Sequence, residues 1–159
     1  ASVLFHVIDG IVLAMQNRKA RPVGYVKENG AANAKWSSRN MGILGTIILV
    51  FLVSHMQTFW YKMHFGEMPV HNGLKDLHTV VVAFFSPENP LGLVAVIGYV
   101  LAQVALAFHL SHGVQSGFQS LGVLPAQYTL IIEKTGVAFA LLIPALFAII
   151  PVFLYITQL

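Results

Sequence analysis

Three stretches of this chain carry no Asp, Glu, Lys or Arg: Met41–Tyr61, Asn89–Ile132 and Thr135–Leu159. A helix crosses the hydrocarbon layer with about 20 apolar residues. In hydrocarbon a chain must satisfy its backbone hydrogen bonds internally, which leaves helices and closed barrels. The runs are continuously apolar rather than alternating, so the expected fold is all-α, an integral membrane helical bundle. The composition agrees: 57% of the 159 residues are hydrophobic and 9% charged, against roughly 25% charged in soluble domains. Mean hydropathy is +0.74. The absence of Cys excludes a disulfide framework, a Cys-ligated cluster and a thiolate metal ligand. The net charge of +3 is no nucleic-acid signal, because Arg18, Lys19, Arg21, Lys27, Lys35 and Arg39 all fall in one loop.

Residues 1–159 read as one domain with four membrane helices. The first is expected over Ala1–Gln16, stopped by the charges at Asn17–Arg21 and by Pro22. It is short for a span, and neither an initiator Met nor a basic leader precedes it. A signal peptide is therefore not expected; an incomplete N-terminus is. Ser37 or Ser38 would cap the second helix, Arg39–His64, which ends in the aromatic group Phe59, Trp60 and Tyr61. Leu74–Phe85 reads as a short interfacial helix closed by Ser86–Pro90. The third and fourth spans are expected over Leu91–Leu121 and Thr129–Tyr155, with Pro144 and Pro151 kinking the fourth. The basic loop puts segments 17–39 and 122–128 on the cytoplasmic side and the C-terminus outside.

Histidine is expensive in hydrocarbon and is normally kept for a ligand, a proton path or a buried partner. His6, His55 and His109 lie on three different expected spans, with His112 one turn beyond His109. Counted from the cytoplasmic rim at about 1.5 Å per residue, His6 is about 15 Å deep, His109 about 16 Å and His55 about 24 Å. Two imidazoles at one level on facing helices suit the iron of a haem. His6 and His109 are thus a candidate pair for one haem, and His55 a ligand for a second. Depth alone does not separate His109 from His112, since helix tilt absorbs one turn.

Small residues near these levels, Gly10, Gly42, Gly45, Gly98, Gly113 and Gly117, would admit a flat macrocycle, though small residues also simply pack membrane helices. Trp36, Ser37, Ser38 and Arg39, with Gln115, Ser116 and Gln119, form a candidate rim for haem propionates; Arg39 serves equally as a positive-inside anchor. Asp9, one turn from His6, is read as the only acid within a span; it would pair with Arg18 or Arg39, or take part in proton movement, and pairing is the simpler use. His64, His71 and His78 share the outer loop with Glu67, Asp76 and Glu88, at spacings that match no tight metal motif.

The segments HVIDGIVLAMQNRKARPVGY, SRNMGILGTIILVFLVSHMQTFWYK and FHLSHGVQSGFQSLG resemble the di-haem cytochrome b subunit of succinate:quinone oxidoreductase, the single-anchor type of Bacteroidetes-like bacteria. The resemblance implies helices two to five of a five-helix fold, with the first helix and its axial histidine absent. It selects His109, four residues before Gly113, over His112. One haem b would then lie between His6 and His109, the other between His55 and the histidine of the absent helix. The resemblance further implies a flavoprotein partner with covalent FAD, an iron–sulfur partner subunit, a quinone acceptor (usually menaquinone) and the bacterial inner membrane. This subunit would carry electrons without acting on succinate; higher oligomers of the complex are left open. Ala107 stands where some fumarate-reducing relatives carry a proton-transferring Glu.

Two other readings compete. One is the b-type anchor of a formate dehydrogenase or nitrate reductase, and the other a haem-free scaffold or transporter. The pairing is testable by redox titration. His6→Ala and His109→Ala are each expected to remove the same haem, and His55→Ala the other. Loss of one shared component from the His6 and His55 variants would overturn the assignment.

Overall fold

The computed structural model describes residues 1–23, 29–122 and 129–159; Gly24 and Lys27 of the basic loop and the 123–128 connection lie outside them. The chain divides into two compact units, Ala1–Ile43 and Leu44–Leu159.

The first unit holds α1 (Ser2–Ala20), α2 (Gly30–Asn33) and α3 (Trp36–Arg39). Helix α1 continues past the expected end at Gln16. Charge does not stop it, because Arg18 and Lys19 are good helix formers that oppose the dipole of the last turn. Pro22 does, with Arg21 pushed out of helical geometry before it. The expected Ser cap is also corrected. Ser37 and Ser38 lie inside α3, and Lys35 occupies the cap position without a side-chain bond. Asn40 closes that turn instead, its Nδ2 donating to the Trp36 carbonyl at 2.9 Å. The Arg39 stem lies over Gly30, where a Cβ would come within 3.1 Å of Arg39 Cδ.

Among the described residues, three helices are long and apolar enough to cross a membrane. The first is continuous from α4 (Met41–His55) through a π-helical segment (Met56–Tyr61) into α5 (Lys62–Phe65). The others are α7 (Gly92–Ser120) and α8 (Thr129–Ile156). Among the described residues α1 does not join them: it has 19 residues and carries Asp9, Arg18 and Lys19. The boundaries of α7 and α8 fall within a residue of those expected. Helix α8 runs unbroken through Pro144 and Pro151.

Helices α7 and α8 pack along one another. The buried positions of α8 are small or ring-closed: Gly136, Ala140, Pro144 and Pro151. Such a stripe lets backbones approach, which is how helices associate in lipid. At Gly136 the approach is close enough that a Cβ would meet Val114 Cγ1 at 3.0 Å. Toward the other end, Phe59, Phe85 and Val96 form a buried cluster, with Phe84, Tyr99 and Tyr155 among the residues around it.

A two-residue hairpin, β1 (Val70–His71) and β2 (Leu74–Lys75), follows α5. Asn72 and Gly73 turn it with φ of +51° and +79°. Asn-Gly is the sequence that adopts such a turn most readily. The hairpin takes Leu74 and Lys75 out of the expected interfacial helix, so α6 spans Leu77–Phe84. Asp76 caps it, accepting from Thr79 N at 3.1 Å and from Thr79 Oγ1 at 2.6 Å. These hydrogen bonds hold the Asp76 carboxyl below its ordinary range.

Asn89 shapes the turn into α7: its Nδ2 donates to the Phe84 carbonyl at 2.8 Å, and its Oδ1 accepts from Leu91 N at 3.1 Å. The turn brings the Ser86 carbonyl against Gly92, where a Cβ would overlap the oxygen. Gly92→Ala is therefore expected to cost about 1–3 kcal/mol through overpacking. Gly98→Ala, where a Cβ meets nothing within 4 Å, should be neutral or gain up to about 1 kcal/mol of helix propensity. Thermal unfolding in detergent compares the two.

Candidate functional site

Two contacts fix how α4 and α7 lie against each other. Gly45 on α4 faces His109 on α7, where a Cβ would sit 3.5 Å from His109 Cε1 and 4.0 Å from Nδ1. His55 on α4 meets Tyr99 on α7, the tyrosine hydroxyl 3.4 Å from His55 Nδ1. Ten positions forward on one helix match ten positions back on the other, so the pair is antiparallel and in register. His55 and His109 are consequently separated by about 15 Å along the helices. One iron cannot reach both. The depth counts put the two histidines about 8 Å apart, and the contacts between α4 and α7 replace that value.

His55 sits in an aromatic nest. Its ring is 5.7 Å from Phe51, 5.2 Å from Phe59 and 5.9 Å from Tyr99. Phe59 is four residues on, within the π segment that begins directly after His55. A π turn changes which residues share a face, and such turns recur at functional positions. Tyr99 stands edge-on to Phe51 and Phe85, each at 4.9 Å, and Phe84 and Phe85 pack edge to face at the same distance. The ring of His55 is thereby oriented by carbon on several sides and by one polar contact at Nδ1.

That donor set fits an axial imidazole. A ligating histidine binds metal through one ring nitrogen while the other holds a fixed partner that sets tautomer and orientation. With Nδ1 in contact with Tyr99, Nε2 would be the nitrogen to hold a metal. His109, half-buried, has the open flank of Gly45 beside it. His6 and Gly10 lie on α1 in the first unit, and a Cβ at Gly10 would meet nothing within 4 Å. The same is true at Gly42, Gly98, Gly113 and Gly117.

The expected rim divides. Trp36, Ser37, Ser38 and Arg39 share α3. Gln115, Ser116 and Gln119 share the last turns of α7. Gln115 is already engaged: its Nε2 donates to Glu133 Oε1 on α8 at 2.7 Å. Asp9 is thus not the only acid within an expected span. Glu133 is a second, and its amide partner explains how it is accommodated. Gln103, buried between the Tyr99 and His109 levels of α7, keeps an Oε1 without a hydrogen-bond partner among the described residues.

His64 lies on α5 rather than in the expected loop, its Nδ1 2.8 Å from the Trp60 carbonyl and its ring 4.5 Å from the Trp60 ring. His78 lines a cavity of about 420 Å³ with Ser86, Glu88, Asn89 and Gln158. Among the described residues no three His, Cys, Asp or Glu side chains converge as a metal cluster.

No family model matches this chain, and comparison with curated proteins and with solved structures likewise gives no match.

Tyr99 and Glu133 are the partners that reading histidines alone passes over. Tyr99 is legible in the sequence: counted along the helices, His55 lies about 9 Å in from Tyr61 and Tyr99 about 12 Å in from Leu91. A hydroxyl in hydrocarbon needs a partner, and the imidazole is level with it. Since the chain has no native Cys, the register is directly testable. Spin labels on Ile48→Cys and Leu106→Cys, each three residues from the Gly45–His109 contact, are expected to give a shorter distance than labels on Ile48→Cys and Ala102→Cys, a turn out of register. The reverse result would break the alignment of α4 and α7.

Proposed function

We propose that this chain is the di-haem cytochrome b anchor of a succinate:quinone oxidoreductase in a bacterial inner membrane. The observation that carries the reading is the two-level placement of His55 and His109 on one antiparallel helix pair, each beside a feature suited to an axial ligand. When bound, the haems supply one-electron transfer between an iron–sulfur partner and a quinone. The chain's own residues position and exclude. His109 presents its ring over Gly45, and His55 is steered by Tyr99 and the surrounding phenylalanines. The apolar faces of α4, α7 and α8 keep water from the interior.

On this reading α1 would be the fourth span and His6, as the resemblance implies, the residue opposite His109. Arg18 and Lys19 in its last turn would mark the cytoplasmic side. In the family the histidine opposite His55 comes from the first helix. The polar cavity beside His78, Ser86 and Gln158 lies at the same end of α7 and α8 as His55, where donors and acceptors for quinone oxygens would be useful. A flavoprotein subunit with FAD completes the electron path on the cytoplasmic side.

A haem-free scaffold is the second reading, favoured by the His55–Tyr99 contact, since an inter-helix hydrogen bond alone accounts for a membrane histidine. Absorption spectroscopy of the dithionite-reduced protein decides between them. The proposal expects a sharp α-band of six-coordinate b haem and a copurifying flavin-containing subunit. A chain isolated from its native membrane without haem would end it, and haem without flavin would favour another oxidoreductase anchor.

A further inference from the structure

We infer that Tyr99 is a positioning residue for one haem, tuning its potential through His55; the inference rests on the proposed di-haem reading. The chemistry follows from proton placement. To bind iron through Nε2, a neutral imidazole must carry its proton on Nδ1. The atom 3.4 Å from Nδ1 is the Tyr99 hydroxyl oxygen, which accepts a proton or donates one as required. With iron bound, Nδ1–H donates to Tyr99 Oη. Without it, the tyrosine O–H donates to Nδ1. Phenylalanine in place of tyrosine does neither.

The hydroxyl is held where it is by packing that does not involve it. The Tyr99 ring stands edge-on to Phe51 and Phe85, and Phe59 flanks His55 on its own helix. Tyr99→Phe preserves these ring contacts and removes one oxygen. A partner accepting the distal N–H makes the imidazole more basic and a stronger donor to ferric iron. Its loss therefore favours the reduced state. His109 has a different neighbour at the equivalent level, Gly45, so the effect is confined to the haem that His55 serves.

The test is a redox titration of the intact complex purified from membranes, parent beside Tyr99→Phe, with His55→Ala marking which component His55 holds. The variant is expected to keep both haems. The reduction equilibrium of the marked haem should move toward reduction by about threefold to tenfold, where tenfold corresponds to about 59 mV for one electron. The other haem should titrate as in the parent. Two haems with unchanged potentials would overturn the inference and leave the di-haem reading standing, as would a shift confined to the haem that His55→Ala spares. A parent protein without haem would instead remove the reading beneath it. Because a merely structural tyrosine would not move one potential and spare the other, the readout separates positioning from packing.

Discussion

Inside a bilayer no water is available to a polar group, so each must find its partner within the protein. The hydroxyls of the long helices meet this locally. Ser54, Ser111 and Thr135 each donate to a carbonyl three or four residues back on their own helix. Side chains that cannot reach their own backbone must cross to a neighbour. His55 does so to Tyr99, and Gln115 does so to Glu133. These cross-helix contacts pin α4 to α7 and α7 to α8 at defined heights, while the small-residue stripe of α8 sets how close the backbones come.

On the proposed reading, register is what turns this packing into function. Gly45 against His109 and His55 against Tyr99 describe one antiparallel alignment. It sets the two imidazoles too far apart for a shared metal, as the proposed pair of haems would require. The π segment begins directly after His55, and Phe59 within it packs against the histidine ring. Polar contact, aromatic enclosure and a glycine flank are thus arranged by the same few turns of helix.

Much of this was legible in the residues. The charge-free runs gave α7 and α8 nearly to the residue, because hydropathy is a strong signal over that length and Asn89 and Pro90 mark the entry turn. What escaped did so for local reasons. Helix α1 outlasts its expected end because Arg18 and Lys19 are tolerated in a last turn. The Asn72–Gly73 hairpin was readable from its dipeptide but was masked by the apolar Leu74, which seemed to start a helix. Tyr99 and Glu133 needed depth compared between helices for all polar residues, not histidines alone. The separation of His55 and His109 needed the register of α4 against α7, which counting along each helix alone does not give.

The account turns on matched imidazoles from separate helices holding one iron. The most direct measurement is an experimental structure of the complete complex from its native membrane, with density for each iron and its axial atoms. The account predicts His6 and His109 on opposite faces of a single haem, with His55 bound to another iron. Rings of His6 and His109 separated by protein or lipid, with no macrocycle between them, would contradict it.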